Sequence, residues 1–134
     1  MAKLGRYSAQ RRKVEAIDAG SADAAKTVEV SDCGTLFAID ATNDVVITLP
    51  AIAAAGNGWW CEFLLKTAVA SGKSVVINLA AADGNTDALL IEAADSGSKV
   101  SATNSDLTLG AACPVGTRVV YQLADGKFFI DSTA

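Results

Sequence analysis

The chain predicts an all-β fold: an antiparallel β-sandwich or barrel of about eight or nine strands, carrying an extended basic N-terminal arm. Three observations point there. Short runs of alternating apolar and polar residues recur along the chain, with turn-forming residues between them. No stretch sustains the 3.6-residue apolar period of a long helix, which argues against parallel α/β architecture. Near the end, an Asp-Gly pair joins two alternating runs, and both residues tolerate the positive φ that a tight hairpin needs.

The arm comes first. Residues 1–25 read as arm and linker, and residues 26–134 as the β-sandwich domain. "MAKLGRYSAQRRKV" holds Lys3, Arg6, Arg11, Arg12 and Lys13 and no acid, although the whole chain carries a net charge of −4. Residues 14–134 hold 6 basic and 15 acidic residues, so a basic arm is joined to a body of net charge −9. That division suggests separate tasks for the two parts. "SAQRRKVEAI" is too short and too weakly periodic for a stable isolated helix. "DAGSADAA" is small, polar and linker-like.

The strands follow in order. "KTVEV" sets Val28 and Val30 against Thr27 and Glu29, "SDCG" turns, and "TLFAID" resumes the alternation. "DVVITLP" places Val45, Ile47 and Leu49 on one face, and Pro50 stops it because proline cannot donate to a ladder. "GWWCEFLLK" is the strongest pattern: Trp59, Cys61, Phe63 and Leu65 on one face, Trp60, Glu62, Leu64 and Lys66 on the other. "KSVVINL" follows the Ser71-Gly72 turn. After the polar loop "AAADGNTD" come "ALLIEA" and "SKVSATNSDLTL", and "TRVVYQLADGKFFID" closes the chain as a hairpin about Asp125-Gly126. No repeat of solenoid type is read in the sequence.

Chemistry is sparse, and the chain reads as a non-enzyme with no catalytic residue. There is no histidine, which excludes Ser-His-Asp and Cys-His arrangements. The carboxylates Asp32, Asp44, Asp83, Asp95 and Asp125 sit in turns, where aspartate is a turn former. Asp83, Asn85 and Asp87 have the spacing that starts a calcium loop, but the sixth position is Ala88 and the twelfth Ala94, where the loop needs glycine and glutamate. "GKS" at 72–74 lacks the upstream glycine of a phosphate-binding loop. Cys33, Cys61 and Cys113 are too few for a structural zinc site and read as buried reduced thiols, with one disulfide left open. Neither metal nor cofactor is expected. No signal peptide or membrane span is expected, and the acidic body repels nucleic acid.

Two features remain for binding. Trp59 and Trp60 are adjacent on a strand and face opposite ways, so one fits the core and the other is a candidate oligomer contact. The arm reads as a docking arm: Lys3, Arg6, Arg11, Arg12 and Lys13 face an acidic protein surface, and Leu4, Tyr7 and Val14 add apolar contact.

At "AIDATNDVVITLPAIAAAGNGWWCEFLL" the chain resembles small virion proteins of tailed double-stranded DNA bacteriophages. "VSDCGTLFAID" is similar to their Asp-Ser-Gly-x-x-Phe opening, with Cys33 where serine is usual. The likeness covers about residues 26–80 and, more loosely, the closing hairpin. With the short length and basic arm it favours capsid decoration (cement) proteins. That resemblance implies a β-rich homotrimer on the outer capsid surface of the virion, made in the bacterial host cytoplasm, with the major capsid protein as partner. The alternative is a tail-fibre or spike adhesion module for a host receptor or glycan.

Overall fold

The structure is a computed structural model that describes residues 11–83, 88–93, 100–102 and 106–133, with backbone alone at 88–93 and 100–102. Eleven strands run through it in the order β1 (Val14–Asp18), β2 (Ala24–Thr27), β3 (Leu36–Asp40), β4 (Val45–Thr48), β5 (Trp60–Leu65) and β6 (Val75–Asn78). They continue as β7 (Ala88–Ala93), β8 (Val100–Ala102), β9 (Asp106–Leu109), β10 (Arg118–Ala124) and β11 (Lys127–Ser132). One helical turn, α1 (Ile52–Ala55), and a 3₁₀ turn at Val30–Asp32 interrupt them.

The all-β expectation holds, but the antiparallel one does not. A six-stranded sheet has the order β1-β3-β5-β10-β11-β7, and a five-stranded sheet the order β2-β4-β6-β9-β8. Both are mixed. β1, β3 and β5 are parallel to one another, as are β2, β4 and β6, and β7 joins β11 in parallel. Alternation within a strand reports which face is buried and says nothing about the direction of its neighbour. The expected hairpin does form: β10 and β11 are antiparallel, with Asp125 at φ 54° and Gly126 at φ 73° in the turn.

Successive strands from β1 to β6 therefore change sheets at every step. Each pair, one strand in either sheet, is a coil that stacks on the previous one. This is a short solenoid, contrary to the sequence reading. Its repeat is visible once the register is known. Ala16-Ile17-Asp18-Ala19 recurs as Ala38-Ile39-Asp40-Ala41, and the register places Ala16 beside Ala38, Ile17 beside Ile39 and Asp18 beside Asp40. Later coils carry insertions, including α1 between β4 and β5, which destroy a fixed period.

Aspartates pin the coils at their corners. Asp23 Oδ1 accepts a hydrogen bond from the Asp44 N–H at 3.1 Å, and Asp44 Oδ1 accepts one from the Ser74 N–H at 3.0 Å. The same corner repeats its backbone bonds, from Ala24 N–H to Asp44 O and from Val45 N–H to Ser74 O. The turn aspartates are thus coil-to-coil ties as well as turn formers.

Between the sheets lies one apolar core. Phe37 stacks on Phe63 with centroids 5.4 Å apart, and edge contacts continue the chain through Tyr121 and Phe128 to Trp59. Such offset and edge-on pairs suit the ring quadrupoles and add to burial.

Residues 14–25, expected as the end of an arm and linker, contain β1 and the start of β2. "SAQRRKVEAI" thus ends as a strand, because Ile17 has a core to enter beside Ile39. The alternation expected over "KTVEV" stops at Val28, which is buried while Val30 opens the 3₁₀ turn.

None of the three cysteines is in a disulfide; Cys61 and Cys113 are buried, but Cys33 is exposed, unlike the expectation. Burial pushes the Cys61 thiol above its ordinary pKa. A thiol reagent at neutral pH should therefore modify one cysteine, Cys33, rapidly in the native protein and all three in denaturant. Rapid native labelling of Cys61, read by mass spectrometry, would contradict this packing.

Candidate functional site

The outer face of the six-stranded sheet is where the basic segment meets the body. Strand register sets side chains there in rows. One row runs Val14, Leu36, Glu62, Val120 and Asp131; the next runs Ala16, Ala38, Leu64 and Arg118. Trp60, Gln122 and Phe129 form a third. Leu36, Trp60, Leu64, Val120 and Phe129 are half-buried, so the face is apolar in its middle.

Glu62 is the unusual member. It is 5% exposed in the middle of an otherwise apolar strand. Arg12 Nη1 donates to its Oε1 at 2.9 Å, and Arg118 Nη1 lies 2.7 Å from its Oε2, out of line for a hydrogen bond. One carboxylate thus holds two guanidiniums, and both guanidiniums remain partly open to solvent. Arg12 also lies over the Trp60 ring, with Cζ 4.9 Å from the centroid, in a cation–π contact. Its Nε and Nη2 reach the Gly34 carbonyl oxygen at 3.4 Å each. Next along the chain, Lys13 Nζ donates to Asp32 Oδ1 at 3.3 Å, and the Lys13 carbonyl accepts the Leu36 N–H.

These contacts tie Arg12 and Lys13 to the body of the fold. Of the eight residues expected to dock on a partner, Lys3, Leu4, Arg6 and Tyr7 lie outside the described residues. Arg11 is exposed. Arg12 and Lys13 pair with this chain's own acids while keeping 35% and 63% of their side-chain surface open. Val14 is 60% exposed on the edge strand β1. Sequence reasoning missed Glu62 as the anchor, although a lone acid inside "WWCEFLL" was the available signal: a charge among strand apolars needs a partner.

The two tryptophans separate as expected. Trp59 is 3% exposed, and its Nε1–H donates to the Val30 carbonyl at 2.9 Å. It belongs to the core and also borders the cleft that Trp60 lines. Trp60 is half-buried and lines an open cleft of about 590 Å³ with Asn57, Gly58, Gln122 and Asp125. Gly34 crosses closely beside it, since a Cβ there would sit 3.7 Å from the indole.

Asp83, the first residue of the partial calcium motif, accepts the Ile52 N–H at 3.1 Å; Asn85 and Asp87 lie outside the described residues. Among the described residues no group of three or more Cys, Asp or Glu is placed to hold a metal ion. Among them, too, no helix is long and apolar enough to cross a membrane.

No family model matches the chain, and comparison with curated proteins and with solved structures finds no match either.

Proposed function

We propose that the protein is a structural virion component that binds the outer surface of a phage head and stabilises the lattice of the major capsid protein, assembled, on the resemblance, as a trimer. The observation that carries this reading is the anchored root of the basic arm. Arg12 and Lys13 are tied to Glu62 and Asp32, so tension on the residues before them passes directly into the six-stranded sheet. A flexible linker at that point would absorb the same tension.

The charge layout fits the role. Lys3, Arg6 and Arg11 precede the anchor in a stretch, residues 1–13, that holds no acid, which suits an acidic protein surface better than the acidic body suits nucleic acid. Many weak docking sites on one shell add through avidity. The half-buried apolar face beside the root offers area for a subunit contact, with Trp60 at its edge.

The test is decoration of expanded, empty heads by protein lacking residues 1–11, with circular dichroism to verify its fold. Binding should fall at least tenfold while the β-spectrum is retained. Full occupancy by the truncated protein would overturn the docking reading. The cleft with Trp60, Gln122 and Asp125 favours the second reading, an adhesion module, because an aromatic face beside amide and carboxylate groups suits a sugar ring. Quenching of Trp60 fluorescence by a host glycan, with head binding absent, would support that reading instead.

A further inference from the structure

The first coil ends both sheets at once. β1 is the outermost strand of the six-stranded sheet and β2 that of the five-stranded sheet, and each is parallel to and in register with the strand behind it. Among the described residues no strand pairs with their outer edges. Two edges in register, unpaired among the described residues, are what a further coil would stack upon, and such edges template association unless something opposes it.

Something does. Along the inner face of one sheet the same row holds Glu15, Phe37 and Phe63; along the other, Lys26, Ile47 and Ile77. The second and third coils fill these positions with buried apolar groups, and the first fills them with charges. Lys26 Nζ donates to Glu15 Oε1 at 2.6 Å, bridging the gap between the sheets, and lies 5.9 Å from the centroid of the Phe37 ring. Both side chains keep about a third or less of their surface open, at 31% for Glu15 and 26% for Lys26. The hydrogen bond to Glu15 raises the Lys26 pKa, so the ammonium is retained.

We propose that this coil end is a strand-pairing surface for the same end of a second copy, and that the Glu15–Lys26 bridge holds it shut. Two ends meeting about a twofold axis along the sheet normal would pair β1 with β1 and β2 with β2, antiparallel. The contact closes at two copies, since the opposite ends of the sheets are different strands, β7 and β8. Meeting would seal two ion pairs into the joined core, and the desolvation of those four charges opposes the ladder hydrogen bonds gained. Apolar residues at the two positions would remove the opposition and continue the core. The inference does not depend on the capsid reading.

The test uses the full chain. Light scattering should give the Glu15→Val/Lys26→Val variant twice the mass of the wild-type assembly, with amide exchange slowed in residues 14–18 and 24–27. The charge-swapped Glu15→Lys/Lys26→Glu variant should keep the wild-type mass. Should the valine variant not fold, the near-isosteric Glu15→Gln/Lys26→Met variant replaces it, with the same doubling expected. A folded apolar or neutral variant that keeps the wild-type mass overturns the proposal. So does a charge-swapped variant that gains mass equally.

Discussion

Trp59→Ala is expected to lower the unfolding free energy by about 3–5 kcal/mol, the range for emptying an aromatic site in a packed core, and Trp60→Ala by no more than about 1 kcal/mol, as for a partly exposed side chain. The asymmetry follows from one residue of offset at the start of β5, which Trp59 precedes and Trp60 opens. Trp59 closes the aromatic chain against Phe128 and satisfies its own N–H on the Val30 carbonyl, so alanine leaves a cavity and removes one buried hydrogen bond. Trp60 loses an Arg12 contact and some cover over Gly34. Urea unfolding of the two variants measures both. Shifts of similar size would contradict the division of the pair between core and cleft.

Glu62→Ala is expected to destabilise by about 2 kcal/mol, less than the 3–5 kcal/mol seen when a fully buried ion pair is broken. The discount follows from geometry: Arg12 and Arg118 keep 35% and 47% of their side-chain surface open and rehydrate once the carboxylate is gone. The same substitution removes the ion pair that ties Arg12 to β5. Proteolysis at Arg11 and Arg12 should accelerate in the variant, while Arg118→Ala, which leaves the Arg12 bond intact, should leave it near the wild-type rate. A double-mutant cycle between Glu62 and Arg12 should give a coupling above about 0.5 kcal/mol. Additive effects would mean that the arm root is not held by this pair.

What could be read from the chain, and what could not, divides along physical lines. Face assignment was legible wherever one face is buried: Trp59, Cys61, Phe63 and Leu65 enter the core together, as their spacing demands. The final hairpin was legible because Asp125-Gly126 encodes its own backbone. Strand direction was not, since pairing partners lie a whole coil away and alternation is blind to orientation. The first coil was hidden for a related reason. Two of its inward positions are Glu15 and Lys26, which leaves Ile17 on β1 and Ala24 on β2, too few apolar residues to show the alternation of the strands they stack on. The anchor at Glu62 was hidden because its partners, Arg12 and Arg118, lie far from it in sequence and meet only across strands.

The placement of β5 also sets an order of events during synthesis. β5 lies between β3 and β10. Its bonds to β3 join residues such as Phe37 and Phe63, so they become available once the first three coils have left the ribosome. Its other edge pairs Phe63 with Val119 and waits for nearly the whole chain. Until then the growing protein presents the apolar strand "WCEFLL" with one side unpaired, at the stage when a nascent chain is most open to misassociation. Closure of β10 and β11 onto β5 joins residues far apart in sequence, and such non-local pairing is expected to be the slower step. The coil stack grows from the N-terminus, and the closing hairpin completes it.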